Sequence, residues 1–480
     1  MNRRMILNTV GLMLKVEAAL LLLPAFAALI YGESCLWSIL ISAAISLAAG
    51  FALTLLSRPK SQVIYAREGF ITVALSWIAV SAVGALPFYI SREIPSYIDA
   101  FFETVSGFTT TGASILANVE VMSRGLLFWR SFTHWVGGMG VLVFVMALVP
   151  SVTDRSIHIM RAEMPGPVVG KLMPRARDTA SILYKIYVGM TLAQIVLMWA
   201  GGMPLYESIV HAFGTAGTGG FGVKADSIAG YSPYLQWVIT VFMLLFGINF
   251  NLYYLLLIRR FRAARQSSEC WYYLGIVGVS IALITVNILP MYENFREALR
   301  LSAFQVASIV TTTGYATADF NLWPQFSKAI LLLLMIVGAC AGSTGGGLKV
   351  SRAVMLFKTV GREIRHLLHP RSVNSVRFEG KQVDGATLKG VSSYFAIYII
   401  CILAICLILS LEPFDLETNL SATLACFNNI GPGLAAVGTA SNYAAYSPLS
   451  KLVLSLAMLL GRLEIYPLLL TLIPTTWIKK

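Results

Sequence analysis

Runs of about 20 apolar residues recur along nearly the whole of this 480-residue chain, each long enough to cross the hydrocarbon core of a bilayer as a helix. Only 12% of the residues are charged and 57% are hydrophobic, against roughly a quarter charged in a soluble domain. A polytopic, all-α membrane protein is therefore predicted. The spans read as 5–30, 36–57, 68–90, 124–150, 178–202, 231–258, 270–290, 323–358, 386–411 and 446–475. The first run contains Lys15 and Glu17 and a second follows at once, so it reads as a retained anchor and not a cleaved leader. Cys35, Cys270, Cys340, Cys401, Cys406 and Cys426 sit in or beside apolar runs without CxxC spacing, which fits small buried hydrophobes.

The net charge of +13 is distributed in a way that sets orientation. In alternate loops 25 basic residues gather, nine of them between Lys349 and Lys389, while the remaining loops hold five: Arg92, Arg124, Lys224, Arg296 and Arg300. By the positive-inside rule the rich loops and both termini are predicted to be cytoplasmic, which needs an even number of spans and agrees with ten. This distribution explains the charge without nucleic acid.

The four long outer segments, 91–123, 203–230, 291–322 and 412–445, share a plan. Each has an acidic residue, then an apolar run of about ten residues, too short to span, then a polar glycine-centred loop. The centres read "SGFTTTGAS", "GTAGTGGFG", "SIVTTTGYATADF" and "FNNIGPGLAAVG". Aligned on Gly112, Gly220, Gly314 and Gly431, they recur at spacings of 108, 94 and 117 residues. Irregular backbone survives at membrane depth only where it is buried in protein or lines a wet cavity. Four such loops around an axis would present carbonyl oxygens in place of a cation's hydration shell, and short helices ending at the loops would aim partial negative charge at the same place. The candidate cation ligands are Thr110, Thr111 and Gly112; Thr218, Gly219 and Gly220; Thr312, Thr313 and Gly314; and Asn429, Ile430 and Gly431.

A second irregularity interrupts the span 323–358. "GACAGSTGGGLK" places five glycines within residues 338–347, each costing about 1 kcal/mol in a helix interior relative to alanine. An unwound, movable segment crossing the pore beneath the filter is expected, carried by Gly338, Gly342, Ser343, Thr344, Gly345, Gly346, Gly347 and Lys349. Arg462 lies about as deep in its own span as the glycine-rich break does in its span. At that depth an arginine costs roughly 2.5–3.5 kcal/mol by insertion scales. It is expected to face the pore beside the loop, as a barrier to cations and a tether for the loop's carbonyls; the alternative is a pair with Glu464. His134, beside Arg130 and Trp135, reads as a packing or hydrogen-bonding residue.

These motifs, with "RSFTHWVGGMGV" (130–141), "GACAGSTGGGLKVSR" (338–352) and "GRLEIYP" (461–467), resemble the Trk/Ktr/HKT superfamily of potassium transporters, and most closely its TrkH/TrkG branch, over essentially the whole chain. The resemblance implies a potassium-channel-like fold in one chain: two extra N-terminal spans (1–60), then pore repeats at 61–155, 156–262, 263–360 and 361–480. It implies a homodimer in the bacterial inner membrane and a cytoplasmic TrkA-type nucleotide-binding ring as partner. It also implies that potassium is the transported ion and that glycine at all four filter positions goes with potassium preference, whereas serine in the first loop goes with sodium. No organic cofactor is expected. Metalloprotease, Walker and nucleophile-elbow motifs are missing from the sequence, which argues against an enzyme. The competing transport reading is a symporter coupled to sodium or protons, for which Glu464 is the obvious deep carboxylate.

Overall fold

The computed structural model describes residues 2–57, 65–140, 176–372 and 374–477. Among these, six helical stretches are long and apolar enough to span: Arg3–Tyr31, Cys35–Leu56, Ala66–Ile90, Asp178–Ala200, Ser268–Met291 and Gly385–Leu409. The first two form the N-terminal pair. They approach so closely that a methyl group on Gly11 would lie 2.9 Å from the Gly50 carbonyl oxygen, the small-residue packing expected in lipid. The other four each open a repeat.

Each repeat continues with a pore helix: Tyr97–Phe108, Leu205–Gly217, Phe295–Val310 and Leu416–Phe427. Asp99, Glu207, Glu297 and Glu417 occupy their first turns, where negative charge complements the helix dipole. Each acid also has a local partner: Lys451 with Asp99 at 2.6 Å, the Tyr231 hydroxyl donating to Glu207 at 2.6 Å, Arg300 with Glu297 at 3.9 Å and Lys328 with Glu417 at 3.8 Å. At the fourth pore helix, Asp415 accepts from the Thr418 amide at 3.0 Å, and bonding to Thr418 holds this exposed carboxyl below its ordinary pKa. A filter loop and a second span then close each repeat.

The second spans depart from the sequence reading. Residues 231–258 do not form one straight helix: Pro233–Phe246 and Phe250–Leu257 meet at 91°. Residues 446–475 divide into Pro448–Arg462 and Tyr466–Leu472, with Glu464 and Ile465 at φ of 57° and 64° between them. Residues 323–358 break where the glycine run predicts, into Gln325–Val337 and a helix that begins at Val350, and differ from the sequence reading only in that the second helix runs past the expected end to Leu368. The first repeat's second span is described as Arg124–Gly138; its continuation to 150, and most of the basic loop 151–178, lie outside the described residues. A hydropathy window does not see the breaks at 247–249 and 463–465 because the residues on either side stay apolar. The backbone groups freed at the second repeat's bend are taken up by the glycine-rich segment: Cys340 N–H donates to Gly247 O at 3.1 Å, and Phe250 N–H donates to Gly342 O at 3.0 Å.

Candidate permeation site

The four filter loops share one backbone conformation despite unequal sequences. Thr110, Thr218, Thr312 and Asn429 have φ between 56° and 58°, and Gly112, Gly220, Gly314 and Gly431 have φ between 74° and 94°. In every loop the amide just before the glycine returns to its pore helix: Thr111 to Ser106, Gly219 to Gly214, Thr313 to Ser308 and Ile430 to Ala425, all at 2.8–2.9 Å. Alternating left-handed residues therefore reverse the chain twice in a few residues, and the return bond locks the reversal to the helix end. Threonine and asparagine bear the first positive φ, with glycine at the second.

The loops also meet in chain order and close on themselves. A methyl group on Gly112 would fall inside contact distance of the Gly219 carbonyl oxygen, on Gly220 of Thr313, and on Gly314 of Ile430; on Gly431 it would lie 2.7 Å from the Thr111 oxygen. Each glycine thus leaves room for a carbonyl of the next loop. On one side the ring opens into a cavity of about 190 Å³ lined by all four glycines together with Arg130 and Lys224. Loops one and three are near copies, each carrying a threonine hydroxyl pair at 2.8 Å, Thr109 with Thr111 and Thr311 with Thr313. Loop four differs: Asn429 Nδ2 donates to Thr111 Oγ1 at 3.0 Å and to Met458 O at 2.9 Å, tying it to loop one and to its own second span.

A buried ion pair braces two of the loops. Arg130 Nε lies 2.6 Å from Glu103 Oε1, with side chains only 5% and 0% exposed. Glu103 accepts as well from Ser114 Oγ and Ile115 N, both at 3.0 Å. Arg130 donates to Gly222 O at 3.3 Å and stacks 3.4 Å over Phe221. The exits of loops one and two are joined in this way. Arg130→Met alone should lower the unfolding midpoint of the detergent-solubilised protein markedly, since an abandoned buried charge costs roughly 3–5 kcal/mol. Arg130→Met with Glu103→Leu should recover part of that loss; no recovery would mean that packing, not charge, sets the cost. His134 hydrogen-bonds to Gly107 O through Nδ1 at 2.7 Å and packs against Gly219.

Directly inside the ring lies the glycine-rich segment. Gly346 N–H donates to Thr312 Oγ1 at 2.6 Å, and Thr344 Oγ1 donates to Phe246 O at 3.3 Å. A methyl group on Gly345 would come 2.9 Å from the Thr311 carbonyl oxygen, and one on Gly346 would collide with that of Asn428. Gly338, Gly342, Gly347 and Lys349 all have φ between 70° and 79°. Ser343, Thr344 and Lys349 are buried, and the Lys349 ammonium is bonded to Gly345 O.

Arg462 reaches this segment from the last repeat. Its Nη1 donates to Thr344 O at 2.9 Å and to Thr110 Oγ1 at 3.3 Å; its Nη2 donates to Gly137 O and Gly138 O, each at 2.5 Å. One guanidinium therefore links a filter loop, the glycine-rich segment and the end of the first repeat's second span. Glu464 is ion-paired with Arg352. Sequence reasoning missed Arg352, Glu103 and Glu269. The Glu269 carboxylate accepts from Ala341 N at 2.7 Å and Ser351 N at 3.1 Å. Arg352 sits one helical turn beyond Lys349 among basic residues counted only toward orientation, and Glu269 resembles an ordinary first-turn acid.

Comparison with known proteins agrees with this architecture. The TrkH family, described as a cation transport protein, matches residues 37–277 and 291–477. The chain is 36% identical over 489 residues to the Trk system potassium uptake protein TrkH of Salmonella typhimurium, covering 99% of this chain and 100% of the relative. It is 33% identical over 474 residues to TrkG of Escherichia coli K12, covering 97% of each. The crystal structure of the potassium transporter TrkH from Vibrio parahaemolyticus superposes with a TM-score of 0.89 at 31% identity and full coverage of both chains. A fourfold ring of filter loops, two N-terminal spans and full-length similarity together identify a multi-pass, non-enzymatic membrane transport protein: the chain belongs to the TrkH family of cation transport proteins.

Proposed function

We propose that this protein takes up potassium across a bacterial inner membrane, passively and under gating control. The observation that carries the reading is the closed ring in which each filter glycine makes room for a carbonyl oxygen of the next loop. Such a ring replaces water around a dehydrated monovalent cation, and four pore-helix C-termini add partial negative charge. The relatives are named as potassium uptake proteins. Potassium is the cargo and no organic cofactor takes part. A membrane potential supplies about 2.3 kcal/mol per charge per 100 mV, enough for a roughly 50-fold inward gradient without a coupling ion. Glu464, the carboxylate that the symport reading would use, is ion-paired with Arg352, which favours the passive reading. Purified protein in liposomes should pass potassium and rubidium in preference to sodium and lithium. Uptake that tracks a sodium or proton gradient at clamped voltage would replace the passive reading with a coupled one.

The segment 338–349 and Arg462 are assigned as the gate, because they occupy the space immediately inside the ring. Both termini lie in the cytoplasm in this reading, the chain works as a homodimer, and a TrkA-type nucleotide-binding ring docks on the basic loops 151–178 and 359–389. Arg365 and Arg371 are exposed on the second of these. Reversing charge at Arg175, Arg177, Arg365 and Arg371 should abolish capture of the regulatory ring while membrane insertion stays normal; undiminished capture would exclude this docking surface.

A further inference from the structure

The glycine-rich segment is held from the cytoplasmic side by a continuous chain of hydrogen bonds that starts on an exposed hairpin. Strands Arg377–Phe378 and Lys381–Gln382 pair antiparallel, and Glu379 and Gly380 form the tip at φ of 50° and 71°. The hairpin base is closed by Val383 N–H to Val376 O at 2.9 Å. It is seated on a small apolar cluster in which Phe378 and Val383 pack against Met355, Val376, Leu388 and Val391. Lys358 adds a bond to Arg377 O at 2.9 Å. The hairpin therefore moves with the helix that leaves the glycine-rich segment, Val350–Leu368, and with the next span.

Glu379 reaches across to a different span. Its Oε1 accepts from Glu269 N at 2.9 Å, Ser267 Oγ at 3.2 Å and Ser268 Oγ at 3.3 Å, and its own amide donates to Ser268 Oγ at 3.2 Å. This caps the N-terminus of the Ser268–Ile288 helix, whose free amides favour a carboxylate. The next carboxylate in line is Glu269 itself. It is 5% exposed, and Oε1 alone bonds to Ala341 N inside the glycine-rich segment and to Ser351 N just beyond it. One oxygen therefore clips the two ends of the segment together, and the main chain that carries it is clipped to the hairpin.

We infer that Glu269 is the positioning residue that keeps the glycine-rich segment beneath the filter, and that Glu379 couples it to the cytoplasmic hairpin. The physical reason is that a segment rich in left-handed glycines has little conformational preference of its own. Its position depends on external bonds, and one Glu269 oxygen supplies two of them to buried backbone amides. A force that lifts the hairpin would first uncap Ser267–Glu269 and then loosen the clip. This supplies a path from the cytoplasmic surface to the segment and rests on the proposed reading of that segment as the gate.

Cys340 lies within the segment and is fully buried, so its thiol reports the segment's position independently of flux. The test uses the full chain in liposomes with the other five cysteines replaced by alanine, and measures modification by a thiol reagent added to the cytoplasmic side. Glu269→Leu should speed Cys340 modification by about ten- to hundredfold, because it leaves two buried amide donors without an acceptor. Glu269→Gln keeps an acceptor oxygen and should remain close to the parent. Glu379→Ala alters an exposed residue and leaves the buried packing intact, so it should fold; it should give a smaller rise. Unchanged modification in both Glu269→Leu and Glu379→Ala would overturn the linkage. Faster modification without any rise in basal potassium uptake would uphold the linkage and overturn the gate reading.

Discussion

Gly314→Ser should reduce discrimination between potassium and sodium by about tenfold or more, equivalent to roughly 1.4 kcal/mol of differential binding, and Gly431→Ser should cost less. A side chain at Gly314 would press into the Ile430 carbonyl oxygen and approach Pro432 to 2.9 Å, on a backbone already at φ +83°. Gly112, at φ +80°, meets the Gly219 oxygen in the same way, so Gly112→Ser should behave like Gly314→Ser. The neighbouring carbonyl has to rotate or retreat, and the ring loses the fixed set of oxygens that a dehydrated ion needs. At Gly431 the nearest carbonyl is 2.7 Å away, so the collision is milder although its φ of +94° still disfavours a side chain. Reversal potentials in mixed potassium and sodium measure the ratio directly. The same ratio in all three variants would show that these glycines do not form the filter.

How much of this could be read from the sequence depended on whether a feature is local. The pore helices and filter loops were legible because an acidic first turn, a short apolar run and a glycine-centred loop recur within about 25 residues. The left-handed positions two residues before each glycine were not foreseen, since threonine and asparagine at φ near 57° are dictated by the return bond to the pore helix. The 91° bend at residues 247–249 was invisible for a related reason. Its freed backbone groups are satisfied by residues 340 and 342, almost a hundred positions away in the chain. The partners of buried charges were the least legible. Glu464 stood two residues from Arg462 and invited a local pair, yet it turns to Arg352. Glu103 meets Arg130 across 27 residues. Such pairs are set by which helix faces are adjacent, and a single sequence carries no record of that.

Removing Gly345, Gly346 and Gly347 should raise basal potassium uptake in the absence of any cytoplasmic partner, and Arg462→Ala should do the same. The deletion shrinks the part of the segment that touches the ring, where Gly346 bonds to Thr312 and Gly345 faces the Thr311 oxygen. Arg462 contributes in two separable ways. As a positive charge bonded to Thr110 beside the ring, it repels a permeating cation and raises the barrier, each ~1.4 kcal/mol of which is about tenfold in flux. As a tether it holds Thr344 O while anchored on Gly137 O and Gly138 O. Arg462→Lys separates the two, because an ammonium keeps the charge but lacks the planar fork that serves four acceptors at once. Flux close to the parent in Arg462→Lys assigns the barrier to charge, and flux close to Arg462→Ala assigns it to the tether. If the tether dominates, the deletion and Arg462→Ala together should give less than the product of their separate effects, since residues in contact couple. The potassium-to-sodium ratio should hardly move in any of these variants, because the carbonyl ring is left in place. Lower uptake in both the deletion and Arg462→Ala, at normal membrane insertion, would mean that the segment and the arginine support the conducting ring from below instead of closing it.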